Sequence, residues 1–137
     1  MKKNVLYILL CSFFALSCSV DDDSIEDYQQ LLPVDNVIIP QTVEVGVAED
    51  IIINYNRPTN CHAFNDIYYA KNTNERTVAI ISTYFASNGN CSPLNANTEA
   101  SFRFKAEEEG TYVFKFWQGK DDNDQDVYLT YEVEAID

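Results

Sequence analysis

One histidine, His62, is all that 137 residues contain. Its scarcity removes most nucleophile–base pairs and the His-rich metal sets of hydrolases. No Gly-x-Ser-x-Gly elbow, His-Glu-x-x-His helix or Gly-rich phosphate loop occurs. Positive charge is also short: nine Lys and Arg stand against 22 Asp and Glu, a formal charge of −13. That balance excludes nucleic acid, which demands a basic footprint. It keeps the protein off anionic headgroups and favours cations or basic partners. No apolar run reaches the roughly 20 residues of a membrane-crossing helix; Val5–Leu16 ends at Ser17. Beyond the N-terminus, no stretch holds a helical period over three turns, and no internal repeat is visible. Carboxylates are numerous enough for a glycosidase-like pair, but such a pair needs a cleft that a domain of this size hardly offers. No catalytic residues are expected.

What the chain does have begins at its N-terminus. Lys2 and Lys3 precede the apolar stretch, and Ala15-Leu16-Ser17-Cys18 closes it. This is the build of an export leader spanning residues 1–17. The closing tetrad resembles the lipobox of bacterial lipoproteins, with Ala15 and Leu16 in the reverse of the usual order. The resemblance implies cleavage before Cys18, acylation of its sulfur and anchoring in the outer membrane. A secretory leader cut without lipidation is the rival reading. Ser19-Val20-Asp21-Asp22-Asp23 is similar to the acidic export signal of surface-exposed lipoproteins of Bacteroidota, which implies display at the cell surface. A plain solvated tether on a periplasm-facing protein is the alternative. Each buried acyl methylene contributes about 0.8 kcal/mol, enough for several chains to anchor permanently. Loss of Lys2 and Lys3 with the leader takes the charge to −15.

Four cysteines then sort themselves. Cys11 leaves with the leader, Cys18 takes lipid, and Cys61 and Cys91 remain as an even pair in an oxidising setting. A disulfide between them closes a loop whose constraint contributes about 3.5 kcal/mol on the chain-entropy model. A metal–thiolate site is the competitor, but two thiolates and His62 fall short of four ligands. Residues 18–33 read as an acidic tether that can reach on the order of 50 Å when extended. Residues 34–137 match the size of one β-sandwich.

Alternating, β-branched and aromatic segments predict strands at 36–39, 42–47, 50–57, 63–70, 76–86, 99–106, 111–117 and 127–136, separated by Pro, Gly, Asn and Asp turns. The expected class is all-β, an antiparallel sandwich of seven to eight strands. Glu108-Glu109-Gly110-Thr111-Tyr112-Val113-Phe114 resembles the tyrosine corner of immunoglobulin-like domains, Asp-x-Gly-x-Tyr-x-Cys. The resemblance implies an immunoglobulin-like sandwich in which Gly110 permits a tight corner and the Tyr112 hydroxyl bonds back to it. The antibody-type disulfide is missing, because Ile53 or Tyr55 and Phe114 fill the usual cysteine positions, and the sole tryptophan lies on the wrong strand for the usual core pin.

Alternation also points to a surface. With Tyr112, Phe114 and Phe116 inward, Lys115 and Trp117 face out; on the last strand Val127, Leu129, Tyr131 and Val133 form the inward set. A hairpin register pairing Phe116 with Leu129 and Trp117 with Tyr128 is self-consistent. It places Trp117 and Tyr128, with Lys115 alongside, as a candidate ligand platform; a simple cross-strand stabiliser is the plainer reading. The adjoining loop carries Asp121, Asp122, Asp124 and Asp126. An EF-hand is rejected, since Asp126 stands where the loop needs Gly and the flanks are strands. A different Ca2+ site on the four aspartates, or a solvated acidic loop, both remain.

The expected function is that of a non-catalytic, lipid-anchored envelope lipoprotein, a binding or accessory module for a glycan or an extracellular protein. The alternatives are a structural subunit of a larger outer-membrane complex and a periplasmic inhibitor or chaperone-like lipoprotein.

Overall fold

The computed structural model describes residues 25–137. The leader, Cys18 and the Ser19–Asp23 acidic run lie outside them. Nine strands follow in order: β1 Tyr28–Leu32, β2 Val34–Ile38, β3 Thr42–Glu44, β4 Ala48–Thr59, β5 His62–Asn72, β6 Glu75–Tyr84, β7 Pro93–Lys105, β8 Gly110–Lys120 and β9 Asp126–Ile136. They build two sheets. One has three strands in the order β2-β4-β7; the other has six, in the order β1-β6-β8-β9-β3 with β5 on the far side of β6.

The protein is therefore an all-β sandwich. Its inner faces follow the two-residue period of pleated strands. Ile51, Ile53 and Tyr55 of β4 are fully buried, as are Phe114 and Phe116 of β8. Phe104 of the small sheet meets Tyr112 and Phe114 of the large one edge-on, with centroids 5.1 and 4.9 Å apart. Removing one such ring leaves a cavity costing about 3–5 kcal/mol.

Three expectations need correction. Residues 28–32, assigned to the tether, form β1, which pairs antiparallel with β6 so that Leu31 meets Ile81 and Leu32 meets Ile80. The fold therefore begins at Tyr28 rather than Val34. Asp27 holds this start in place, its Oδ1 accepting from the Ser87 amide and hydroxyl at 3.1 and 2.9 Å. At Pro33 the chain switches sheets, a position where a residue without an amide donor costs no ladder bond.

The sandwich is also not antiparallel throughout: β3 runs parallel to β9, and β6 parallel to β8. The cause of the second pairing is β7, which crosses in the opposite sheet and returns the chain in its former direction. Parallel neighbours need a long crossover of this kind.

The third correction concerns Val127. It is 40% exposed rather than inward. Gln118 is inserted between the Trp117–Tyr128 and Gly119–Val127 pairs with no residue opposite it. That bulge turns the end of the hairpin, and Gly119 takes it at φ +113°.

Cys61 and Cys91 are joined, with Cα atoms 5.3 Å apart. The bridge ties the corner before β5 to the segment entering β7. His62 beside it is buried, with Nδ1 2.7 Å from the Thr59 hydroxyl. Burial lowers its pKa, a hydrogen bond to the Thr59 backbone opposes this, and the neighbouring Arg57 charge adds to the lowering.

Candidate functional site

At the β8–β9 hairpin, Trp117 pairs with Tyr128 and Phe116 with Leu129. Trp117 and Tyr128 are half-buried. The indole Nε1 donates to Asp126 Oδ1 at 2.9 Å. That bond, and then the Lys120 charge, hold the Asp126 carboxyl below the usual aspartate range. Lys120 Nζ lies 3.5 Å from Asp124 and 3.6 Å from Asp126. Lys115 is engaged by Glu75 at 2.7 Å.

The loop acids have local duties as well. Asp121 Oδ1 accepts from the amides of Asn123 and Gln125 at 2.8 and 3.0 Å, an Asx-type closure of the turn. Asp122 is exposed, and Asp124 adopts φ +61°. The four aspartates do not converge: among the described residues no group of three or more His, Cys, Asp or Glu stands where it could hold a metal ion.

The tyrosine at the other end of β8 serves its own turn. Tyr112 Oη accepts from the amides of Glu107 and Glu108 at 3.3 and 3.2 Å and donates to the Glu108 carbonyl at 3.1 Å. Gly110 sits at φ +124°, a conformation L side chains rarely adopt.

A further concavity lies elsewhere. A groove of about 610 Å3 opens between β5 and β7, with Ile67, Tyr69, Phe102 and Phe104 among its apolar lining. Tyr69 and Phe102 meet edge-on across the sheets at 5.4 Å, and burial pushes the Tyr69 hydroxyl pKa up. Phe64, 48% exposed, stands on the same wall.

The charges around this groove run against the rest of the molecule. With Lys2 and Lys3 set aside, seven Lys and Arg remain of the nine, and four of them line it, Lys71, Arg76, Arg103 and Lys105, beside two carboxylates, Asp66 and Glu107. Arg76 reaches it from β6 and is only 6% exposed. Its guanidinium lies 5.0 Å from the Tyr112 ring centre, a cation–π contact. Nη1 donates to the carbonyls of Thr73 and Glu75 at 2.7 and 2.8 Å. Nε is buried with no partner, and no carboxylate pairs with Arg76 among the described residues. Lys71–Glu107 at 3.9 Å and Arg103–Asp50 at 3.7 Å join well-exposed groups and hold weakly.

Sequence reasoning missed this groove. One signal was present: Arg76 shares parity with Val78 and Ile80, so alternation already sets a guanidinium on the buried face of a strand.

No family model, curated protein or solved structure matches the chain. No helix among the described residues is long and apolar enough to cross a membrane.

Proposed function

We propose that this chain is a non-catalytic, lipid-anchored binding module of the bacterial outer envelope, holding a glycan or an extracellular protein in the groove between β5 and β7. The observation that carries the reading is the groove itself: an aromatic floor with four cations against two carboxylates, on a chain whose charge is −13. Concave sites with an apolar lining and a few polar groups are where ligands bind. The anchoring half rests on the leader and Cys18, and surface display rests on the acidic run after it. The absence of catalysis is supported by the placement of His62, enclosed between Thr59 and the Tyr84 ring, whose centroid is 4.9 Å away.

A second reading is favoured by the sheet edges. Among the described residues, β5 pairs only with β6 and β7 only with β4. An accessory subunit held to a larger complex would use such edges. Cross-linking on intact cells followed by pull-down from solubilised membranes tests both readings. A glycan-array signal without a stoichiometric protein supports the glycan module; a fixed partner supports the protein-bound form. Labelled palmitate that enters the wild type and not Cys18→Ala tests the anchor, and protease shaving of intact cells tests the face.

A further inference from the structure

We propose that the groove captures an extended acidic segment of a partner protein, added as a strand to the free edge of β7. This rests on the binding-module reading and narrows it to one class of ligand. Three observations converge. The first is charge: Lys71, Arg76, Arg103 and Lys105 gather at one place and outnumber the two acids there, Asp66 and Glu107, on a strongly acidic chain. A surface this acidic elsewhere would repel an acidic partner, so the groove is where one is received.

The second is Arg76. A guanidinium 6% exposed, with an unpartnered Nε and no carboxylate among the described residues, is an unusual economy for a buried charge. Nη1 already donates to two carbonyls, so what a carboxylate in the groove adds is a counter-charge to the guanidinium.

The third is the edge. Beside the groove, β7 presents Ser101–Lys105 with a partner strand on one side only among the described residues. Five residues give about 17 Å of unpaired main chain, and extended peptides bind such edges by continuing the ladder. A glycan can stack and form ion pairs, but it cannot continue a β ladder. The edge therefore favours a peptide.

Pleat alternation specifies the ligand further. Phe102 and Phe104 point to the interior, whereas Arg103 and Lys105 lie on the opposite face of β7. A strand laid alongside meets aromatic and cationic neighbours in turn. Its pattern is apolar–acidic–apolar–acidic, with one inward acid at Arg76.

The test uses the full mature chain in detergent and a fluorescein-labelled Ser-Glu-Val-Glu-Glu-Glu-Ser peptide, whose fifth residue is the inward acid. Saturable, salt-sensitive binding is expected, falling at least tenfold when Gln replaces Glu in the peptide. N-methylation of alternate peptide amides keeps every charge and removes the ladder donors; it too is expected to weaken binding at least tenfold. The exposed pair Arg103→Gln with Lys105→Gln is expected to weaken it about tenfold. Because Arg76→Gln endangers the fold, that double variant is the primary one. Amide exchange is expected to slow at Ser101–Lys105 when peptide saturates.

Binding that ignores N-methylation overturns strand addition. Oligogalacturonate bound in place of the peptide also overturns it, while leaving the binding-module reading standing. If neither probe binds and the membrane pull-down returns a partner that ignores Arg103 and Lys105, this inference fails and the module reading survives. If neither probe binds and the pull-down and glycan array are empty, both fail.

Discussion

The two ends of strand pairing in this sandwich use similar residues to opposite effect. At the β8–β9 hairpin, Trp117, Lys120, Asp124 and Asp126 satisfy one another across at most nine positions of chain. In the β5–β7 groove, Tyr69, Arg76, Phe102 and Arg103 come from three strands, and Arg76 keeps an unfilled donor. Aromatics and charges crowded together in sequence tend to close their own turn. Those assembled from distant segments are left with capacity for something else.

The comparison can be tested most severely at the disulfide, which ties the approaches to both groove strands and leaves the hairpin untouched. Replacing Cys61 and Cys91 together with Ser should lower unfolding free energy by about 3–4 kcal/mol, read from urea midpoints, and should weaken peptide capture. An unchanged midpoint would show that the groove walls hold without the clamp.

Tyr112→Phe comes next, at about 1 kcal/mol, because it strips an acceptor from two amides and a donor from one carbonyl. The Phe ring still lies beneath Arg76, so groove binding should persist. Weakening there in step with the midpoint would mean the corner and the groove are one unit.

A smaller effect should appear with pH. Because burial lowers the His62 pKa, the unfolded chain takes up a proton that the native ring resists. Stability is therefore full above the ordinary histidine range and falls as pH drops through it, levelling off below the native value. Melting temperatures across that range should slope in the wild type and flatten in His62→Gln.

The smallest effect belongs to the exposed Asp126. Its lowered pKa makes its contribution present above the ordinary aspartate range and lost as pH falls through the native value. Trp117 emission should follow that titration and cease to do so in Asp126→Asn. Groove binding should not change in that variant or in Trp117→Ala; loss of binding in Trp117→Ala would return the site to the hairpin.

Much of the fold was legible because alternation is a local signal. All eight expected strands are present, and Trp117 does face Tyr128. The missed strand, Tyr28–Leu32, has Gln29 and Gln30 at its centre and Pro33 at its end, so nothing local marks it. It is extended because β6 offers Ile80 and Ile81 beside it. The parallel partnership of β6 with β8 had no sequence signature either, since crossover is a property of the sheets. The acidic loop was ambiguous for a chemical reason: carboxylates that ligate a cation and carboxylates that cap amides have the same composition. The groove was hidden by distance along the chain, with only the inward parity of Arg76 to betray it.

The parallel seam also sets a tempo. Hairpins β5–β6 and β8–β9 turn back on themselves directly, whereas the seam joins Glu75 to Val113, 38 positions on. Chain entropy over that span must be lost before the contacts return anything, which places such topologies in the millisecond-to-second range of folding times. Until it zips, the polypeptide stays threadable, a delay that suits the export proposed for it.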